Sequence, residues 1–179
     1  MKKFFKEFCF EGAWKYRLCM LLPAFLLIAV DQILKIWATA KLKGNPVSVI
    51  DGVFELVYQE NRGAAFSILQ NQRVFFIILT AIVMTFLLLV ILNGRYRQHM
   101  LVNCSFVLIL AGGIGNMIDR IVHGYVVDYL YFKLINFPVF NFADCCLVIG
   151  AVLMLIFFIF MYEEDTPHLE EKGHDTHDA

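Results

Sequence analysis

Four long apolar runs separated by short polar breaks dominate the chain. They extend from about Leu18 to Ala40, from Val74 to Leu92, from Met100 to about Val122, and from about Asn141 to Tyr162. About 20 helical residues cross the hydrocarbon core of a bilayer. Inside lipid the backbone must satisfy its own hydrogen bonds, so each run is predicted to be a transmembrane helix. Two segments between the runs have another pattern. Residues 41–73 contain NPVSVIDGVFELVYQE, two β-prone stretches around Asp51-Gly52, a dipeptide typical of a two-residue hairpin turn. Residues 123–140 read HGYVVDYLYFKLINFPVF, an aromatic-rich segment suited to a lipid–water boundary. The predicted fold class is an all-α membrane protein: four transmembrane helices with a small extracytoplasmic β-sheet segment. A short segment 1–17 precedes a membrane domain over 18–162, whose outer loops are 41–73 and 123–140. A polar tail over 163–179 has a composition that does not support a packed core.

Composition agrees with that pattern. Residues of the set AVILMFWYC make up 60% of the 179, Asp, Glu, Lys and Arg together only 17%, and Phe alone occurs 18 times. A soluble domain this small needs a larger polar share to cover its surface, so the expected solvent is lipid. The net charge of -1 offers no electrostatic footprint for nucleic acid. The five cysteines have no CxxC spacing and are read as small hydrophobes.

Basic residues near helix ends set the expected orientation. Lys2, Lys3, Lys6, Lys15 and Arg17 precede the first helix, and Arg95 and Arg97 lie between the second and third. Those segments are assigned to the cytoplasm, so four spans put both termini inside. Lys41, Lys43, Arg62, Arg73 and Lys133 fall on the other side, so the bias is moderate. The first apolar run is too long for a signal peptide and lacks a small-residue cleavage site, so it is expected to remain as a helix.

Ionisable residues within spans are unfavourable and mark function by default. Here Asp31 and Lys35 fall in the outer half of the first helix, and Asn116, Asp119 and Arg120 near the outer end of the third. Asp128 lies just beyond that end, Asn141 and Asp144 begin the fourth helix, and Asn61 and Arg62 sit in the outer loop. Nearly every such residue converges on one level, the outer membrane boundary. Asn116 and Arg120 are four apart and share a helix face, while Asp31 and Lys35 can pair within the first helix. Asp119 points elsewhere and is read as locking helices together. Gly63, with Ala64 and Ala65, is small enough for close backbone approach.

Several chemistries could occupy this layer. No HExxH or comparable metal-binding helix occurs; His168, His174 and His177 stand in the tail, on the other side from the polar layer. Ser48 and Ser67 lie outside but lack the context of a nucleophile, with only His123 or Lys35 to serve as base. Two carboxylates fit better: close together in a low-dielectric site they share a proton. The ionised one can then activate water while the other polarises a carbonyl. A purely structural reading remains beside this one, with Asp144 capping the fourth helix and Asp128 facing the interface. A proton-coupled transporter or channel would also place carboxylates in a membrane, but its site usually lies near the midplane between repeats, and no repeat is visible.

Five segments in order, DQILK from Asp31, ENRGAAFSIL from Glu60, GGIGNMIDR from Gly112, HGYVVDYL from His123 and FNFADCCLVIG from Phe140, resemble the lipoprotein signal peptidases, also called signal peptidase II. The resemblance spans roughly Leu18 to Tyr162. It implies an aspartyl endopeptidase of the bacterial cytoplasmic membrane, multi-pass, with its active site at the outer face. The implied substrates are prolipoproteins whose cysteine already carries diacylglycerol, cut just before that cysteine. No cofactor or metal is implied; the partners are these precursors and membrane lipids, and a monomer is expected. The implied catalytic pair is Asp128 and Asp144. Asp31, Asn61, Asn116, Arg120 and Asn141 are implied to position the pair and the substrate, and Lys35, Arg62, Gly63 and Asp119 are grouped with them as supporting residues. The 16-residue spacing from Asp128 to Asp144 is on the short side for the family's connecting loop.

Overall fold

The computed structural model describes residues 13–63, 72–93 and 99–160. Helix α1 covers Ala13–Leu42, α2 Arg73–Asn93, α3 Met100–Val122 and α4 Phe142–Phe160. All four are long and apolar enough to cross a membrane, as the four runs predict. Ala64, Ala65, Phe66 and the polar tail lie outside the described residues.

Helix α3 is central: 61% of its most apolar stretch is buried, against 17–22% in the other three. It packs against each of them. Its composition explains why, since Ala111, Gly112, Gly113 and Gly115 leave one side of the helix narrow and let neighbouring backbones approach. A Cβ on Gly112 would collide with the Ala143 carbonyl of α4. Gly150 of α4 does the same in reverse, its missing Cβ falling 2.7 Å from Ile109 Cγ1 on α3. Between them Ser105 Oγ donates to the Gly150 carbonyl at 2.6 Å. Tyr16 Oη donates to Asn103 Oδ1 at 3.1 Å, so the far half of the bundle also holds some buried polar contacts. The outward faces stay bare, with Phe25, Ile36, Phe86 and Phe160 between 67% and 71% exposed. Such a surface is unsuited to water and suited to lipid.

At one end of the bundle sits an antiparallel sheet of three strands, β1 (Val47–Ile50), β2 (Phe54–Asn61) and β3 (Val126–Phe132), in the order β1-β2-β3. Two expectations need correction. Three residues, Asp51 to Val53, link β1 and β2 because the register pairs Ile50 with Phe54. Asp51-Gly52 is still the centre of the turn: Val53 N bonds the Ile50 carbonyl at 2.9 Å, and Gly52 supplies a φ of 72° at the second central position. That is the type II requirement for glycine. The segment expected to be an aromatic interface loop supplies β3, the strand that carries Asp128. Ala38 and Leu42 of α1 pack beneath Val127 and Tyr129 and fix the sheet to the bundle. Tyr129 is therefore a buried anchor of the sheet. Cys104, Cys145 and Cys146 are free thiols.

Candidate active site

The start of α4 is built from its own side chains. Asn141 precedes the helix, and its Oδ1 accepts from Asp144 N at 3.0 Å while Asp144 Oδ2 accepts from Asn141 N at 3.1 Å. This reciprocal pair is a capping box, made here with Asn and Asp. Asp144 thus caps the helix, and its Oδ1 is left to face elsewhere. That oxygen accepts from Asn116 Nδ2 at 2.8 Å.

Asp128 is brought alongside by β3. Its Oδ1 accepts from Asn141 Nδ2 at 2.6 Å and its Oδ2 from Asn61 Nδ2 at 2.9 Å. Asn141 Nδ2 also reaches Asn116 Oδ1 at 3.1 Å, so one carboxamide touches both Asp128 and the group that holds Asp144. Asp128 is 1% exposed, and Asp144 is half-buried. Burial first, and then the negative charge of Asp144, push the Asp128 carboxyl up to about 7, against the opposing hydrogen bonds from Asn61 and Asn141.

Behind Asn116 lies a buried charge cluster. Lys35 Nζ reaches Asn116 Oδ1 at 2.9 Å, Asp31 Oδ2 at 2.8 Å and Asp119 Oδ2 at 3.1 Å. Asp31 Oδ1 accepts from Ala143 N at 3.0 Å, and Asp119 Oδ2 from Val127 N at 3.0 Å. The pairing expected within α1 is present, and Asp119 locks α3 to β3. Gln32 was not assigned to the site, yet its Nε2 donates to Asp31, Asp119 and the Gly115 carbonyl. A polar residue between two charged ones in an apolar run was the available signal.

The two carboxyls open into a cleft of about 1100 Å³ between the sheet, the 133–140 loop and α4. Asn61, Asn116 and Arg120 line it with them, and Leu147, Val148 and Ile149 of α4 form its apolar wall. Arg120 lies over the Phe76 ring at 5.1 Å and donates to the Gly63 carbonyl at 3.2 Å. Gly63 N donates in turn to Asn61 Oδ1 at 3.0 Å. Arg62 is not gathered in: it is exposed, pairs with Glu60 at 3.0 Å and lies over the Tyr125 ring at 5.4 Å. The hydrogen bond from Arg62 holds the Glu60 carboxyl below its usual range.

Gly115 makes the cluster possible. A Cβ there would fall 2.6 Å from Asp31 Oδ2, an oxygen already held by Lys35 and Gln32. Gly115→Ala is expected to destabilise the protein by about 1–3 kcal/mol through overpacking. Gly113→Ala would meet only the flexible Met84 thioether, at 2.5 Å, and should change stability less. Thermal unfolding of both variants in detergent checks this, and equal melting temperatures would refute it.

Comparison with known proteins gives this site a family. The family described as signal peptidase (SPase) II matches residues 23–160. The chain belongs to the signal peptidase II family. A lipoprotein signal peptidase of Streptococcus thermophilus is 46% identical over 143 residues, covering 79% of this chain and 92% of the relative. One of Clostridioides difficile is 43% identical over 141 residues, covering 78% and 94%. Among solved structures, a bacterial membrane enzyme determined by the in meso method at 2.3 Å aligns with a TM-score of 0.73 at 32% identity, over 86% of this chain and 93% of the other. A second, at 1.9 Å, gives 0.70 at 32% identity over 80% and 94%. This signal peptidase II chain is a peptidase and a multi-pass membrane protein.

Proposed function

We propose that the chain is an aspartic endopeptidase that removes signal peptides from diacylglyceryl-modified bacterial prolipoproteins, cutting just before the lipidated cysteine. The observation that carries this reading is the joining of Asp128 and Asp144 through Asn141 and Asn116 in a cleft with one polar and one apolar wall. With Asp128 raised to about 7, one member can hold a proton near neutral pH while the other is ionised, and the pair titrates as a unit. The ionised member takes a proton from water as its oxygen bonds the scissile carbonyl carbon, and the protonated member hydrogen-bonds the carbonyl oxygen. Collapse of the tetrahedral intermediate breaks the C–N bond. The leaving nitrogen takes a proton from the pair, giving a free amine on the lipidated cysteine and a carboxylate on the signal peptide. Neither a metal nor a nucleophilic hydroxyl enters the scheme.

The remaining roles follow from position. Asn61, Asn116 and Asn141 aim donors at the two carboxyls. Arg120, lining the cleft, offers its guanidinium to a substrate carbonyl in place of Gly63. Asp31, Lys35 and Asp119 brace Asn116 and the chain on either side of the pair. Basic residues before α1 and between α2 and α3 favour the cytoplasm for both termini, which puts the sheet and the pair at the outer face of the cytoplasmic membrane. The whole arrangement comes from one chain, so a monomer suffices.

Val148 and Ile149 are exposed on the lipid-facing side of α4 and also line the cleft. A substrate anchored in the bilayer can therefore reach the carboxyls sideways, without leaving lipid. Each buried methylene contributes about 0.8 kcal/mol, so a diacylglycerol group offers ample energy for selection. One precursor prepared with and without the diacylglycerol should be cleaved only, or far faster, in the modified form by purified protein in detergent. Equal rates on both forms would reject the lipoprotein reading.

A further inference from the structure

Gln59 of β2 is the register partner of Asp128 on β3. Residues directly opposed in an antiparallel ladder project on the same face, with Cβ atoms about 4.5–5.5 Å apart. Gln59 therefore projects on the same face of the sheet as Asp128, and it lines the same cleft. Its situation differs from that of the other amides there. Asn61, Asn116 and Asn141 are all spent on the two carboxyls. Gln59 is exposed, and its side chain bonds no group among the described residues.

We propose that Gln59 binds the substrate backbone, pairing its carboxamide with a peptide group next to the scissile bond. This rests on the peptidase reading above and adds to it a residue that sets how the chain lies across the carboxyls. A primary amide presents a donor and an acceptor in one plane, which matches the N–H and C=O of an extended peptide. Substrate entry would cover Gln59 between the sheet and the apolar wall of α4. A covered amide without a partner is unfavourable, and so is a covered substrate peptide group. Pairing the two removes both penalties. The spacing also fits: opposed residues are about 4.5–5.5 Å apart, a distance that one to two residues of an extended substrate span at about 3.2–3.4 Å each. A chain whose scissile carbonyl meets Asp128 brings an adjoining peptide group to Gln59.

The test uses diacylglyceryl-modified precursor peptides in which each peptide bond flanking the scissile one is replaced singly by an ester, which removes the N–H and weakens the carbonyl as acceptor. Wild type and Gln59→Ala are assayed on the series in detergent, with kcat and KM measured separately. Gln59→Ala should lose about fivefold in kcat/KM on the all-peptide substrate, chiefly through KM. Wild type should lose a similar factor at one flanking ester only, and Gln59→Ala should lose nothing further at that position. Gln59→Glu, which keeps the shape but not the donor, should not restore the wild-type pattern. If Gln59→Ala matches wild type on the peptide substrate, or loses as much as wild type at every ester, the assignment of Gln59 is overturned while the peptidase reading stands. A wild-type protein inert on the modified precursor overturns both.

Discussion

Replacing Asp128 or Asp144 by asparagine should lower cleavage by about 10²–10⁴-fold, the range that one positioned acid or base contributes. Both variants should also lose some stability. Asp128 takes its hydrogen bonds from Asn61 and Asn141 at separate oxygens, so an amide in its place sets its NH₂ group against one of these donors, at a cost of about 1 kcal/mol. Asp144 Oδ2 completes the capping box with Asn141 N, and Oδ1 accepts from Asn116. An amide must there set its NH₂ group against one of two donors, so Asp144→Asn should also lose about 1 kcal/mol of stability. Cleavage is therefore compared per folded molecule, with inserted protein confirmed by its melting in detergent. Wild-type turnover in either variant would strip that residue of its catalytic role.

Asp128 also makes a prediction about pH. Its carboxyl titrates near 7 in the folded protein and near 3.9 in an unfolded chain. Between those values the native state holds a proton that the unfolded state has released, so stability falls as pH rises through the interval and levels off above it. Asp128→Asn has no such proton to lose. The melting temperature of wild type relative to Asp128→Asn should thus drop from about pH 4 to pH 7 and then stay constant. A difference independent of pH would mean that Asp128 is not held protonated by its surroundings.

The four spans and the clustering of polar residues at one end could be read from the sequence, because a bilayer admits little besides helices and penalises stray charge. The partners Asp31–Lys35 and the locking role of Asp119 were legible for the same reason. Strand β3 was not, although VVDYLYF is rich in β-branched and aromatic residues. That signal is shared by interface loops, and what decides is pairing with β2, a contact between residues more than sixty apart. Arg62 adjoins Asn61 in the sequence but lies just past the end of β2. Their separation shows only in the side-chain hydrogen bonds, where Asn61 reaches Asp128 and Arg62 goes to Glu60. Asp144 could be read two ways, as cap or as catalyst, and the structure explains the difficulty: its two oxygens serve separate partners.

Lys35→Met should be the most damaging single change outside the two carboxyls. The ammonium is 3% exposed and uses all three protons, on Asp31, Asp119 and Asn116. Removing it leaves two buried carboxylates without their cation, a change worth about 3–5 kcal/mol. The variant should accumulate poorly or melt well below wild type. That loss alone would not show what Lys35 does for the site, so a second change is needed. Lys35→Met combined with Asp31→Asn and Asp119→Asn removes the orphaned charge and should recover much of the stability. Cleavage should stay low, because Asn116 Oδ1 still lacks one of its two donors and its Nδ2 is no longer fixed on Asp144. Recovery of stability and of turnover together would show that Lys35 only balances charge. Recovery of stability alone would show that it also holds Asn116, and through it Asp144, in working order.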